Sequence, residues 1–348
     1  MHILQINTEK GWRGGERQTL LCSEGLRRAG HRVTLLCLAG KPLAQKAREA
    51  GFETVGVKSQ FDALLHIMFS GRKYAALHAQ SSRAFGFAAL ATLAVKKPLV
   101  YTRRTVFPFH GKLTKLKYMR ASAVVAISSA AGRAVEQAGL QRPEIISSIV
   151  VPAAPDRERI AALKNRVLPF NARVVGVVAA LTPEKNPVGM VDAAAMVCSR
   201  LENVVFFHCG DGVLRDDLLR RVSQANLQGQ YIFAGFQDQV EELFGMFDVF
   251  AMASLAEGLG SSVLDAFAAG VPVASSDAGG LSELVHGRGL LSPTGNAKLL
   301  AENIITLLSD QKKAETYSSA AKRYVIENHG MEVLAEKYVA LYRRVVKQ

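Results

Sequence analysis

Short apolar strands alternate with amphipathic helical stretches along most of the chain, and this alternation limits its architecture more than any other feature. Strand-like segments fall at 2–6, 32–38, 74–80, 98–102 and 123–128, then at 173–179, 204–210, 231–236, 248–254 and 271–275. Most are separated by stretches with apolar residues every three or four positions. Parallel sheets are covered on both faces, so their strands read as apolar runs and their crossovers as helices. The expected class is α/β, with doubly wound parallel sheets. The period restarts after an irregular, proline-bearing segment, Val151 to Ala172, which places a domain boundary there. The expected units are 1–160, 170–325 and a C-terminal helix, 326–348, packing back toward the first domain. With 348 residues and 49% hydrophobic content, the chain can fill two cores.

Charge is unevenly divided. Residues 1–150 carry 23 Lys and Arg against 8 Asp and Glu, and the remainder 20 against 22, within a total of +13. The densest basic portion holds Arg103, Arg104, Lys112, Lys115 and Lys117, interleaved with Phe107, Phe109, Leu113, Leu116 and Tyr118. Cations among aromatic and aliphatic side chains fit an anionic membrane surface, the expected partner. Nucleic acid ranks lower, because no helix-turn-helix, zinc-finger spacing or aromatic RNA-binding signature accompanies the charges. Met1 to Asn7 reads as a first strand rather than a secretory leader. The longest apolar run, Ala84 to Val95, is too short to span a bilayer, which takes about 20 residues. Cys22, Cys37, Cys198 and Cys209 show no metal spacing and read as buried free thiols of a reducing cytoplasm.

Glu257 and Asp265 stand eight residues apart in "SLAEGLGSSVLDAFAAGVPVASSDAGG". An apolar strand precedes them and an amphipathic helix follows, so both carboxylates fall at a strand-to-helix turn. In a doubly wound sheet that edge binds ligands, and helix N-termini there suit phosphate. Gly258, Leu259, Gly260, Ser261 and Ser262 form a loop rich in backbone donors. Gly279 and Gly280 supply a second such loop after the next strand. Gly14 and Gly15, ahead of a helix begun by Glu16 and Arg17, suit close approach to phosphate or acceptor, although they lack the full dinucleotide fingerprint.

With these pieces in order, the whole chain resembles glycosyltransferase family 4, whose fold, GT-B, pairs two Rossmann-like domains across a cleft. The resemblance rests on "EGLGSSVLDAFAAGVPVASSDAGGLSELV", "WRGGERQTL", "AISSAAGRAVEQAGL", "VGVVAALTPEKNP", "HCGDGVLRDDLL" and "IFAGFQDQVEELFGMFDVF". It implies a retaining enzyme that transfers a hexose or heptose from a UDP-, GDP- or ADP-linked donor. Glu257 falls on the first position of the family's Glu-x7-Glu pair and would contact the donor sugar. Asp265 replaces the second Glu, at the position that binds ribose hydroxyls. Lys185 matches the second member of a diphosphate-holding Arg and Lys pair, whose first position is Ala180 here; Arg104 or Arg13 is a candidate substitute. His78 matches a cleft position and is expected to be catalytic with Glu257 and Lys185. Gly210, Gly212 and Phe236 are expected on the nucleotide. Ser128 matches a family position and equally suits a helix N-cap.

No Asp-x-Asp metal motif occurs in the sequence. Lys185, the loop amides and a helix dipole would then stabilise the departing diphosphate without a metal or other cofactor. The basic first half suggests a lipid-linked or anionic glycan acceptor, such as a lipopolysaccharide core, met by a cytoplasmic protein at the inner face of the plasma membrane. A nucleotide-sugar epimerase and a non-catalytic binding protein on the same scaffold are the alternatives.

Overall fold

The computed structural model describes residues 1–109 and 111–347, which divide into two compact units, one formed by those of 1–149 together with 328–347 and the other by 150–327. In the first unit β1 (His2–Asn7), α1 (Gly14–Arg28), β2 (Arg32–Leu38), α2 (Pro42–Glu49), β3 (Glu53–Val57), α3 (Gln60–Ser70) and β4 (Ala76–Ala79) follow in turn. Then come α4 (Ser82–Val95), β5 (Leu99–Arg103), α5 (Lys112–Met119), β6 (Ala123–Ala126), α6 (Ser129–Glu136) and β7 (Glu144–Ile145). The strands form one parallel sheet in the order β3-β2-β1-β4-β5-β6-β7. The helices start where short polar side chains can cap them. Ser59, Ser81 and Ser128 accept from the backbone N–H three residues on, at the heads of α3, α4 and α6. Ser128 is thereby a buried N-cap.

The second unit begins with α7 (Arg157–Val167) and continues through β8 (Arg173–Val178), α8 (Pro187–Cys198), β9 (Val204–Cys209), α9 (Arg215–Gln224) and β10 (Tyr231–Gly235). It closes with β11 (Val249–Met252), α10 (Ser261–Ala269), β12 (Val273–Ser276), α11 (Gly280–Val285), β13 (Leu290–Ser292), α12 (Ala297–Ser309) and α13 (Gln311–His329). Its parallel sheet runs β10-β9-β8-β11-β12-β13. Phe206, Phe207 and Phe250 are fully buried within the strands because the sheet is covered on both faces; each such side chain contributes on the order of 2 kcal/mol. The segment expected to be irregular at the domain boundary is helical in part. Asp156 caps α7, and Gly245 packs against Pro155 and Ile160, so this stretch belongs to the second unit's core.

At Asn328 the chain returns to the first unit, where α14 (Met331–Lys347) lies against α1. Gly25 lets the two helices approach closely: a β-carbon there would stand 3.0 Å from that of Ala335. Beneath α14 lies a buried polar network. The hydroxyl of Tyr342 meets Gln5 and His78 Nδ1, and His78 Nε2 meets Thr102. His78 was expected to be catalytic. It is instead fully buried, with both ring nitrogens engaged, and holds the C-terminal helix to the sheet.

Burial pushes the His78 pKa down to about 3, from an ordinary 6.5, with the Arg104 charge adding to the effect. His208, buried against Tyr231 and the Ala179 carbonyl, is pushed down to about 4. A depressed histidine pKa means that the unfolded chain binds the proton first. Stability is therefore complete above pH 6.5 and is lost as the pH falls toward the folded values. His78 alone is expected to remove about 3 kcal/mol between neutrality and about pH 4. Denaturant titrations across this range should show a smaller acid loss for His78→Gln than for the parent.

Candidate active site

Lys185 and Glu257 emerge from neighbouring strands. β8 and β11 lie side by side at the centre of the second sheet, but the chain leaves β8 toward β9 and leaves β11 toward β12. This is a topological switch point, and in such sheets the carboxyl edge there accepts ligands. After β8 the chain turns through Ala179 to Thr182 into a single 3-10 turn, Pro183–Lys185. Asn186 then takes a left-handed conformation and caps α8 by accepting from the Gly189 N–H. After β11 the chain runs through Ser254 and Leu255 to Glu257 and enters α10 at Gly260.

Backbone hydrogen bonds join these loops. The N–H of Leu255 donates to the Glu184 carbonyl over 2.8 Å. The Lys185 ammonium then donates to Glu257 Oε2, while Oε1 accepts from the Gly258 N–H. Both side chains are largely buried, at 23% and 13% exposed. The residue expected to contact the sugar and the residue expected to contact the phosphate thus pair with each other. The N-cap of α10 is Gly260, which has no side chain to occupy the first amides of the helix.

Two glycine loops frame the pair. The Gly280 N–H donates to the Glu257 carbonyl, and a β-carbon on Gly279, whose φ is +57°, would lie 2.1 Å from that oxygen. Gly210, with φ at +151°, passes the Ala179 carbonyl so closely that a β-carbon would stand 1.9 Å away; at Gly212 it would be 2.5 Å from the Leu181 carbonyl. Only glycine fits these contacts. Phe236, just past β10, is 61% exposed at the same edge. Leu259 is buried and anchors the loop, while Ser261 and Ser262 are partly exposed at the head of α10. Asp265 lies one turn further into α10 and is 8% exposed, so it belongs to the helix body rather than to the loop that carries Glu257.

In the first unit, Gly14 and Gly15 open α1, and Arg104 packs beside Gly15 while donating to Gln80 Oε1. Gln80 in turn donates to Gln5. Neither Gln80 nor Asn186 stood out in the sequence, since an amide after a strand reads as an ordinary turn residue. Arg103 departs from its expected membrane role. It is 4% exposed, donates to the Tyr118 hydroxyl and the Phe107 carbonyl, and lies over the Phe109 ring. There it anchors the loop that leads to α5. Lys112, Lys115 and Lys117 are exposed on α5. Among the described residues no helix is long and apolar enough to cross a membrane.

The family description "Glycosyltransferase Family 4" matches residues 12–152, and "Glycosyl transferases group 1" matches 160–324. The chain belongs to glycosyltransferase family 4. This glycosyltransferase is 28% identical over 270 residues to a 2-deoxystreptamine glucosyltransferase of Streptomyces kanamyceticus, covering 73% of this chain and 68% of that one. Over 187 residues it is 27% identical to the lipopolysaccharide core biosynthesis glycosyltransferase LpsE of Rhizobium meliloti, covering 53% of this chain and 54% of that protein. In fold it resembles Anabaena HepE, with a TM-score of 0.89 at 23% identity, over 99% of this chain and 100% of that one. Both units are Rossmann-like, and the fold is GT-B.

The close approach at Gly279 gives a stability test. Gly279→Ala combines a positive φ with a clash and should destabilise the second unit by about 3 kcal/mol or more. Gly287 has a φ of +73° with open space around it, so Gly287→Ala should cost only about 1 kcal/mol in the same chemical denaturation.

Proposed function

We propose that the chain is a retaining, metal-independent glycosyltransferase moving a hexose from a nucleotide-sugar donor to a lipid-linked or cell-envelope glycan at a membrane surface. The observation that carries this reading is the meeting of Lys185 and Glu257 at the switch point, beside the glycine N-cap of α10. A donor diphosphate satisfies the Lys185 ammonium and the helix amides together. Its arrival releases the Glu257 carboxylate to accept hydrogen bonds from the sugar hydroxyls. As the bond between the anomeric carbon and the phosphate oxygen breaks, negative charge grows on the leaving group where Lys185 and the α10 dipole already point. The departing phosphate takes the acceptor's proton, and the new bond forms on the face it leaves.

A uridine donor is favoured because the HepE structures hold UDP and UDP-glucose. A cell-envelope acceptor is favoured by LpsE and by the lipopolysaccharide core mannosyltransferase LpsB, also similar to this chain. The basic first unit fits an anionic acceptor and the cytoplasmic face of the membrane.

The test is transfer from UDP-glucose, with other nucleotide sugars alongside, to isolated lipopolysaccharide core and to lipid-linked saccharide in the presence of EDTA. Transfer should persist with EDTA, and Lys185→Ala and Glu257→Ala should each lower turnover by roughly 100-fold or more with unchanged circular dichroism. A strict Mg²⁺ requirement, or near-parental transfer by both variants, contradicts the reading.

A further inference from the structure

The layer formed by α3, α4 and α5 on one face of the first sheet leaves large apolar side chains in solvent. Phe61 and Phe69 on α3 are 65% and 82% exposed, Leu90 and Leu93 on α4 are 54% and 60%, and Leu113 and Leu116 on α5 are 77% and 56%. On each helix the two residues are spaced three or eight apart, which puts them on one side. α4 packs against both α3 and α5, so the three exposed stripes adjoin. A neighbouring apolar surface of this kind is unusual on a soluble monomer and marks a contact surface.

Its charge identifies the partner. Between Lys58 and Arg120 the chain has twelve Lys and Arg residues and a single acid, Asp62. Arg72 and Lys73 follow α3, Lys96 ends α4, and Lys112, Lys115 and Lys117 project from α5, all exposed. The Lys117 ammonium lies over Gly86 of α4, 3.6 Å from where a β-carbon would be, so α5 sets a cation beside the apolar stripe of α4.

We propose that the outer face of α3, α4 and α5 docks on an anionic phospholipid bilayer. The phenylalanines and leucines enter the interfacial zone, and the surrounding cations bind headgroup phosphates. This inference rests on the membrane location proposed above and names the surface responsible. A second copy of the chain would set these cations against themselves. Nucleic acid would satisfy the cations and leave the leucines in water.

The experiment is vesicle flotation of the full chain on phosphatidylglycerol-rich and on pure phosphatidylcholine vesicles, at low and high salt. UDP binding in solution is measured in parallel. Binding should be confined to the anionic vesicles and weakened by salt. Combined Phe69→Ser, Leu90→Ser and Leu116→Ser should reduce it by about 100-fold or more, with UDP binding and the melting temperature unchanged. Combined Lys112→Glu, Lys115→Glu and Lys117→Glu should reduce it by roughly 100-fold. Absence of vesicle binding, or equal binding by the serine variant, overturns the proposal. So does a concentration-dependent dimer that the serine variant abolishes without any vesicle binding, which would assign the face to a second copy. Failure to bind UDP while flotation persists would instead remove the donor-site reading and leave the docking surface standing.

Discussion

Where β8 and β11 lie side by side, the chain leaves them in opposite directions across the sheet, which makes the carboxyl edge between them a switch point. Everything proposed for the second unit depends on what fills that edge. The loops there are fixed by backbone contacts that admit no side chain: Gly279 against the Glu257 carbonyl and Gly210 against the Ala179 carbonyl. The Leu255 N–H on the Glu184 carbonyl then sets the height of one loop against the other. Lys185 and Glu257 meet because the backbone has already been brought into register.

The ion pair suits the diphosphate site proposed for this unit. Each charge is largely withdrawn from water, and each satisfies the other. A phosphate can replace the carboxylate at Lys185, and sugar hydroxyls can replace the ammonium at Glu257, so the exchange strands neither charge. The amides at the head of α10 add a fixed positive field that needs no reorganisation. The first unit has a different character. Arg104 stands beside Gly15 at its sheet edge, while Lys112, Lys115 and Lys117 are exposed on α5.

Much of the fold is legible in the sequence because both sheets are buried, and strands such as Val204–Cys209 are continuous apolar runs. The strands that escape notice are short or lie at sheet edges. β3 carries Glu53 and Gly56 and is half exposed, β7 has two residues and β13 three. The glycine and acid pattern around Glu257 is equally legible, since close backbone approach leaves glycine as the only choice. What cannot be read is the direction a polar side chain takes. Arg103 and Arg104 are adjacent, yet one is buried under Phe109 and the other lies at the sheet edge. His78 reads as a site histidine until the C-terminal helix, far along the chain, brings Tyr342 onto its ring.

The central claim is that a nucleotide diphosphate takes Lys185 from Glu257 at the β8–β11 junction. A crystal structure of the chain with UDP tests it most directly. The diphosphate is expected at the head of α10, with the Lys185 ammonium on a phosphate oxygen and the Glu257 carboxylate released from it. UDP bound elsewhere, or bound with the Lys185 and Glu257 pair intact, would contradict it.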